Sequence, residues 1–155
     1  MPDRLERQRR LRDHLWERDW GRVTTFPAPV GWILRRLLGF LQNPSPGLRW
    51  RAVVALGRMA QTSTPPSDAT LREFIRSLFW SMNDESGNLC RMAPEALGEI
   101  LRARPDLRLE YAPLLVQYLV EEPFETGTLW ALCRLDGAGF DPEREGGVLL
   151  APSLD

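Results

Sequence analysis

Few side chains in this sequence are of the kinds that perform covalent or metal chemistry, and their spacing keeps them apart. There is one histidine, His14, and there are two cysteines, Cys90 and Cys133. A histidine-based catalytic or metal site needs a second ligand or a nucleophile beside it, and no second histidine is available. The cysteines form no CxxC pair and no disulfide framework. They read as packing thiols; the alternative is a groove thiol that tethers a chromophore or senses oxidation, which needs a lowered pKa. All twenty basic residues are arginine, so lysine is absent as a Schiff base or general base. Asp84 and Glu85 are neighbours in sequence, but adjacency does not place two carboxylates across a scissile bond. Gly137, Gly139, Gly146 and Gly147 sit among acids and make no phosphate loop. No catalytic residue, metal ligand or cofactor is expected.

The chemistry that remains is recognition. Trp50, Arg51 and Arg58 fall outside the apolar stripe of one helical segment. Arg91, Glu95, Glu99 and Arg102 do so on a second, and Trp130 and Arg134 on a third. Tryptophan and arginine are the residues enriched where binding energy is concentrated. The competing interpretation is that each indole packs between neighbouring helices and the guanidiniums pair locally. A second cluster, Trp80, Asn83, Asp84, Glu85 and Ser86, lies at a helix end and turn. Capping explains it structurally, because acids and hydroxyls suit a helix N-terminus; a polar contact site on an edge is the functional alternative.

The elements that must position these side chains come from a duplication. Residues 43–57, NPSPGLRWRAVVALG, return in weaker form as residues 84–98, DESGNLCRMAPEALG. Leu48, Ala52, Ala55, Leu56 and Gly57 recur as Leu89, Ala93, Ala96, Leu97 and Gly98, at a constant offset of 41. Each copy reads as a turn followed by a helix with small and apolar residues on one face. A tandem unit of this length is a helical-repeat signature.

Around this unit the chain divides readily. Residues 2–20 predict a charged helix with Leu5, Leu11, Leu15 and Trp16 as its apolar stripe, ended by Gly21. Residues 24–29 predict a linker. Residues 29–42 predict the first helix of a hairpin, with Ile33, Leu34, Leu37, Leu38 and Leu41 inward at helical spacing. Pro46 opens the second helix at its first turn, and Leu48, Ala52, Ala55, Leu56 and Met59 form its buried face. A further pair follows: a helix capped by Ser67 or Asp68 and running to about Met82, then one capped by Ser86 or Asn88. Pro94 lies within that last segment and predicts a kink or a late start. A third pair is expected from residues 111–120, beginning near Pro113 and with Leu114, Leu115, Tyr118 and Leu119 as its apolar residues, and from residues 128–135. The chain is thus read as one domain: cap and linker at 1–28, repeats at 29–135, and an irregular acidic tail at 136–155.

Composition limits the classes open to it. Length and a hydrophobic fraction of 43% suit a single soluble domain. No apolar run approaches the roughly 18–20 residues that span a bilayer. The first residues are charged, with no visible secretory signal, so a cytoplasmic location and no membrane partner are expected. The net charge of −1 conceals an asymmetry: residues 23–104 hold ten arginines against six acids, and residues 105–155 hold three against ten. Such asymmetry biases the choice of partner.

The run Leu48-Arg49-x-x-Ala52-x-x-Ala55-Leu56-Gly57 resembles the short HEAT-like repeat named after phycobiliprotein (PBS) lyases. RWRAVVALG at 49–57, FWSMNDESGNLCRMAPEALGEI at 79–100, and residues 110–135 with Tyr111 and LWALCRL are similar to a small bacterial family of HEAT-like proteins. The likeness departs at Cys90, where the generic repeat has the counterpart of Arg49. It implies an all-α fold, a short right-handed α-α superhelix of about three helix hairpins behind an N-terminal capping helix. It also implies that the second helix of each hairpin lines a concave face, and that Arg49 meets Asp84 or Glu85 at the joint between units. The function expected is a non-enzymatic scaffold that takes a protein partner on Trp50, Arg51, Arg58, Arg91, Trp130 and Arg134. Nucleic-acid binding is the alternative, supported by the basic stretch 23–104 and opposed by the overall charge. A tetrapyrrole lyase or chaperone rests only on the repeat's name and Cys90.

Overall fold

The structure, a computed structural model, describes residues 3–62, 64–83 and 89–137. Among them the regular structure is all helical: α1 (Arg4–Trp16), α2 (Trp20–Thr24), α3 (Val30–Phe40), α4 (Pro46–Gln61), α5 (Asp68–Met82), α6 (Ala93–Ala103), α7 (Arg108–Val116) and α8 (Glu125–Gly137). Short 3₁₀ turns, Pro105–Leu107 and Gln117–Val120, flank α7. No helix among the described residues is long and apolar enough to cross a membrane.

Local signals explain most helix starts. The Asp3 carboxylate accepts the Glu6 N–H at 2.7 Å, the Asp19 carboxylate accepts the Arg22 N–H at 3.1 Å, and the Ser67 hydroxyl accepts the Thr70 N–H at 3.2 Å. Each satisfies one of the backbone donors left over at a first turn. Pro46 and Pro94 sit in the first turns of α4 and α6, where a missing N–H costs nothing. Pro94 therefore delays the start of α6 to Ala93 and does not kink it. At the other end of α6, the buried Arg108 side chain donates from Nε to Leu101 O at 2.9 Å and from Nη2 to Arg102 O at 3.0 Å. A guanidinium on the last carbonyls satisfies orphan acceptors and complements the helix dipole.

The helix α6 is the centre of the molecule. It packs against α4 on one side and α8 on the other, while α5 and α7 lie against it from a further side. α3 rests on α4, and α1 and α2 close the far side of α4. Every residue of α6 from Ala93 to Leu101 is buried, as expected for a helix with neighbours all round. Leu11, Leu15, Leu37, Leu56, Ile75, Leu78, Leu97, Ile100, Leu115 and Leu135 are buried in one continuous core. Fully burying each such side chain contributes roughly 1.5–3 kcal/mol.

Two glycines set how closely the central row packs. A methyl group at Gly57 of α4 would lie 3.2 Å from Glu99 Cβ of α6. A methyl group at Gly98 of α6 would lie 2.6 Å from Ala131 Cβ and 2.9 Å from Ala131 Cα of α8. The two glycines are the paired positions of the duplicated Ala-Leu-Gly run, and each faces the next helix of the row.

Several expectations need correction. The N-terminal segment is two helices, because Arg18 turns back at a positive φ of 57° and Asp19 caps a new start; Gly21 thus lies inside α2 and does not terminate α1. Leu5 is 66% exposed while Leu11 and Leu15 are fully buried; a spacing of six positions puts Leu5 and Leu11 on different faces. Pro113 lies inside α7, which begins five residues earlier. Leu114 is exposed and Tyr111, Ala112 and Leu115 carry the buried face. α8 starts at Glu125, three residues before the apolar pattern announces it. The acidic tail from residue 138 onward lies outside the described residues, as do the turn acids Asp84 and Glu85 expected to meet Arg49. Arg49 donates to Asn43 O at 2.8 Å and to Pro44 O at 3.1 Å, closing its own turn.

The seam between α6 and α8 leaves no room for a side chain at Gly98. Gly98→Ala is expected to destabilise the protein by roughly 1–3 kcal/mol through overpacking against backbone. Gly39→Ala, in α3 where nothing lies within 4 Å of the added methyl, should instead stabilise by about 0.5–1 kcal/mol. At roughly 2–4 °C per kcal/mol for a chain of this size, thermal unfolding followed by circular dichroism separates the two.

Candidate functional site

The row α4–α6–α8 brings four of the sequence-predicted binding residues, Trp50, Arg58, Trp130 and Arg134, to one surface and leaves Arg51 and Arg91 elsewhere. Trp50 of α4 and Trp130 of α8 meet edge to face, ring centroids 5.1 Å apart at 62°. Because α6 lies between their helices, the indole pair spans it. Arg134, one turn beyond Trp130, places its guanidinium 5.8 Å from that ring's centroid and donates from Nε to Glu99 Oε1 at 2.7 Å. Arg102 approaches the other Glu99 oxygen at 3.9 Å. An aromatic, guanidinium and carboxylate chain thus runs across the row, from Trp50 through Trp130, Arg134 and Glu99 to Arg102. Trp50 remains 41% exposed and Trp130 half-buried.

Beside this chain lies a cleft of about 440 Å³. α4 contributes Val54, Gly57, Arg58 and Gln61, α6 contributes Glu99, Arg102 and Ala103, and α8 contributes Arg134. The bare backbone at Gly57 lets α6 approach and puts Glu99 at the base of the helix contact. Three guanidiniums and one carboxylate leave the cleft with two net positive charges. Arg58 and Gln61 also border a shallower depression of about 270 Å³ against α2, with Trp20, Gly21 and Thr24 on its far wall. The two hollows adjoin along the last turn of α4.

Arg51 does not join this surface. Its guanidinium stacks 4.6 Å from the Trp16 ring centroid and donates to Gly47 O at 3.0 Å. It fastens α1 to α4, and Trp16, expected in the core, is instead its 43%-exposed platform. Arg91 is exposed, in the turn before α6 and not on the helix, because the proline-delayed start at Ala93 leaves it outside. Of the edge cluster, Trp80 is 77% exposed and borders a hollow of about 560 Å³ with Leu38 and Arg76. Asn83 donates to Phe79 O at 2.9 Å and to the Tyr118 hydroxyl at 2.6 Å, closing the end of α5 against the 3₁₀ turn after α7. Asp84, Glu85 and Ser86 lie outside the described residues.

Two acids expected to point outward are buried in the central seam. Glu99 is spoken for by Arg134. Glu95 is 6% exposed, and its Oε1 has no hydrogen-bond partner among the described residues. Gly127, in the first turn of α8, makes room for it: a methyl group there would fall on the Glu95 carboxylate. The nearby sequence neighbour Thr128 is fully buried and its hydroxyl is likewise unpaired. Burial raises the Glu95 carboxyl above its ordinary value of 4.5, partly opposed by a hydrogen bond with its own backbone. The reading of Glu95 as a surface residue fails because α6 is flanked on both sides. The glycine at 127 was the signal, since it sits where an ordinary helix position would carry a side chain.

Cys90 is fully buried, and burial pushes its thiol up. A thiol so placed is the protonated, poorly nucleophilic form, which weakens the chromophore-tether alternative. Cys133 is exposed. No group of three or more His, Cys, Asp or Glu residues among the described residues could hold a metal ion.

Comparison with known proteins adds little to this geometry. No family model and no solved structure matches the chain. An uncharacterized protein of Archaeoglobus fulgidus is 34% identical over 93 residues, a match covering 57% of this chain and 48% of the relative. The chain thus spans about half the length of that relative.

The buried carboxyl at Glu95 has a defined pH signature. Its folded-state pKa is raised, so between the ordinary and raised values the folded state binds more protons than the unfolded state. Stability is therefore greatest below this window and falls as pH rises through it. Glu95→Gln keeps the volume and removes the charge. Its melting temperature should exceed the wild type's near pH 7, by roughly 2–4 °C for each kcal/mol recovered, and the gap should close below the ordinary carboxyl value of 4.5. A variant less stable than wild type near pH 7 would show that the carboxylate has an ionic partner.

Proposed function

We propose that this protein is a non-enzymatic, HEAT-like binding module that takes a protein partner on the surface of the α4–α6–α8 row. The side-by-side packing of three helices that carry the duplicated Ala-Leu-Gly pattern, with Gly57 and Gly98 each facing the next helix, supports a repeat stack. The observation that carries the binding role is the Trp50–Trp130 pair. Two indoles in mutual contact, over a helix buried from Ala93 to Leu101, leave apolar area in water where a monomer would ordinarily cover it. They border a charged cleft, the arrangement of an apolar anchor within a polar rim.

The binding residues in this reading are Trp50, Trp130, Arg134, Arg58 and Arg102. Arg51 drops out because Trp16 and Gly47 occupy it, and Arg91 stands apart in its turn. A nucleic acid is the second reading, favoured by the three guanidiniums around one cleft and opposed by the buried carboxylate that already engages one of them.

The test is capture of partners on the immobilised protein, with identification by mass spectrometry, before and after nuclease treatment. Trp50→Ala should reduce capture of the specific partner at least tenfold, since removing a central aromatic anchor costs on the order of 2 kcal/mol, and it should leave helicity unchanged. Capture that disappears with nuclease transfers the role to nucleic acid. Capture indifferent to Trp50→Ala moves the contact to another surface, with exposed Trp80 the next to replace.

A further inference from the structure

We infer that the cleft among Arg58, Arg102 and Arg134 receives a pair of carboxylates on an extended segment of the partner, while an apolar side chain of the same segment sits on Trp50 and Trp130. This deepens the binding-module reading and rests on it. Three observations converge. First, the cleft is concave and of side-chain size, about 440 Å³. Second, its charges do not cancel: Glu99 engages Arg134 at 2.7 Å and Arg102 only at 3.9 Å. Arg58 is exposed and has no hydrogen bond or ion pair among the described residues. Each guanidinium offers five N–H donors in a planar fork suited to a carboxylate, so donor capacity far exceeds what one buried acid uses. Third, the distance between the two features sets a register. Trp50 and Arg58 are eight residues apart on α4, about 12 Å at the rise of an α-helix. An extended chain covers that distance in about four residues.

The recognised segment is therefore an aromatic or large aliphatic residue about four positions from the first of two acids at alternate positions, because only alternate side chains of an extended chain share a face. Acids fit this cleft better than phosphodiesters do. Two carboxylates match the two net positive charges of its lining, whereas a nucleic-acid backbone adds a negative charge at every nucleotide.

The experiment is selection of random twelve-residue peptides displayed on phage against the full chain, followed by fluorescence anisotropy on the selected peptides. The expected consensus is an apolar residue about four positions from the first of two acids at alternate positions. Arg58→Gln with Arg102→Gln should weaken such a peptide at least tenfold. So should exchanging its acids for amides, and the two losses should not add when combined. Peptides weakened by Trp50→Ala but lacking acids, or indifferent to the arginine exchange and to their own amide exchange, overturn the acidic pocket and leave the binding module standing. The amide exchange on the peptide decides this even where the protein variant is unstable. A selection yielding no peptide sensitive to Trp50→Ala overturns both. Displacement of the selected peptide by an equal or lower concentration of a single-stranded oligonucleotide assigns the cleft to phosphate and overturns the carboxylate.

Discussion

The close approach of α6 to its two flanking helices is the constraint on which the rest of this structure depends. Glycine makes it possible at both seams. Gly57 admits the side chain of Glu99, and Gly98 admits Ala131. Because dispersion and burial are gained only at contact distance, a wider spacing would leave the row underpacked. It would also pull apart the features that cross it. The indoles of Trp50 and Trp130 reach one another across α6, and Arg134 reaches Glu99 because α8 packs directly on α6.

That packing has a cost in charge. A helix buried on all sides is ordinarily apolar, yet α6 carries Glu95 and Glu99 in its seams. Their environments differ. Glu99 is compensated by Arg134, and a buried carboxylate with a hydrogen-bonded guanidinium is far less costly than one alone. Glu95 has burial without a comparable partner, and its carboxyl shifts towards the neutral form. The same helix therefore holds one carboxylate beside a guanidinium and another that burial pushes towards the neutral form, a turn apart. Cys90, just upstream, is in the same dry environment and is held as a thiol.

The peripheral helices are held by polar contacts of a different kind. Arg51 stacks on Trp16, while Arg7 and Arg36 lie over Trp32 at 5.6 and 5.7 Å. Arg104 joins Asp68 of α5 to Asp106, and Arg72 joins Glu110 and Tyr111. A chain without lysine uses arginine for all of these, and the planar guanidinium suits both stacking and bidentate pairing. Around Arg58, Arg102 and Arg134, three guanidiniums line one cleft with a single carboxylate. The exposed aromatic pair lies beside it. The functional proposal follows from that local excess, since the overall charge is nearly neutral.

The sequence by itself determined the helical character of the chain, the positions of most helices and the importance of the Ala-Leu-Gly repeat, because these follow from local periodicity, caps and glycine placement. It also singled out Trp50, Trp130, Arg134 and Arg58. What it did not decide was which polar side chain meets which. Arg51 and Arg58 look equivalent as outward positions on one helix, yet Trp16, thirty-five residues upstream, claims the first and leaves the second at the cleft. Glu95 and Glu99 look solvent-facing on a helical wheel, and a wheel carries no record of a neighbour on the other side. The burial of those two acids, the pairing of the two indoles and the charge left over in the cleft were decided only when α4 and α8 closed on α6. Contacts between residues distant in the chain are set by packing geometry, and periodicity alone cannot encode them.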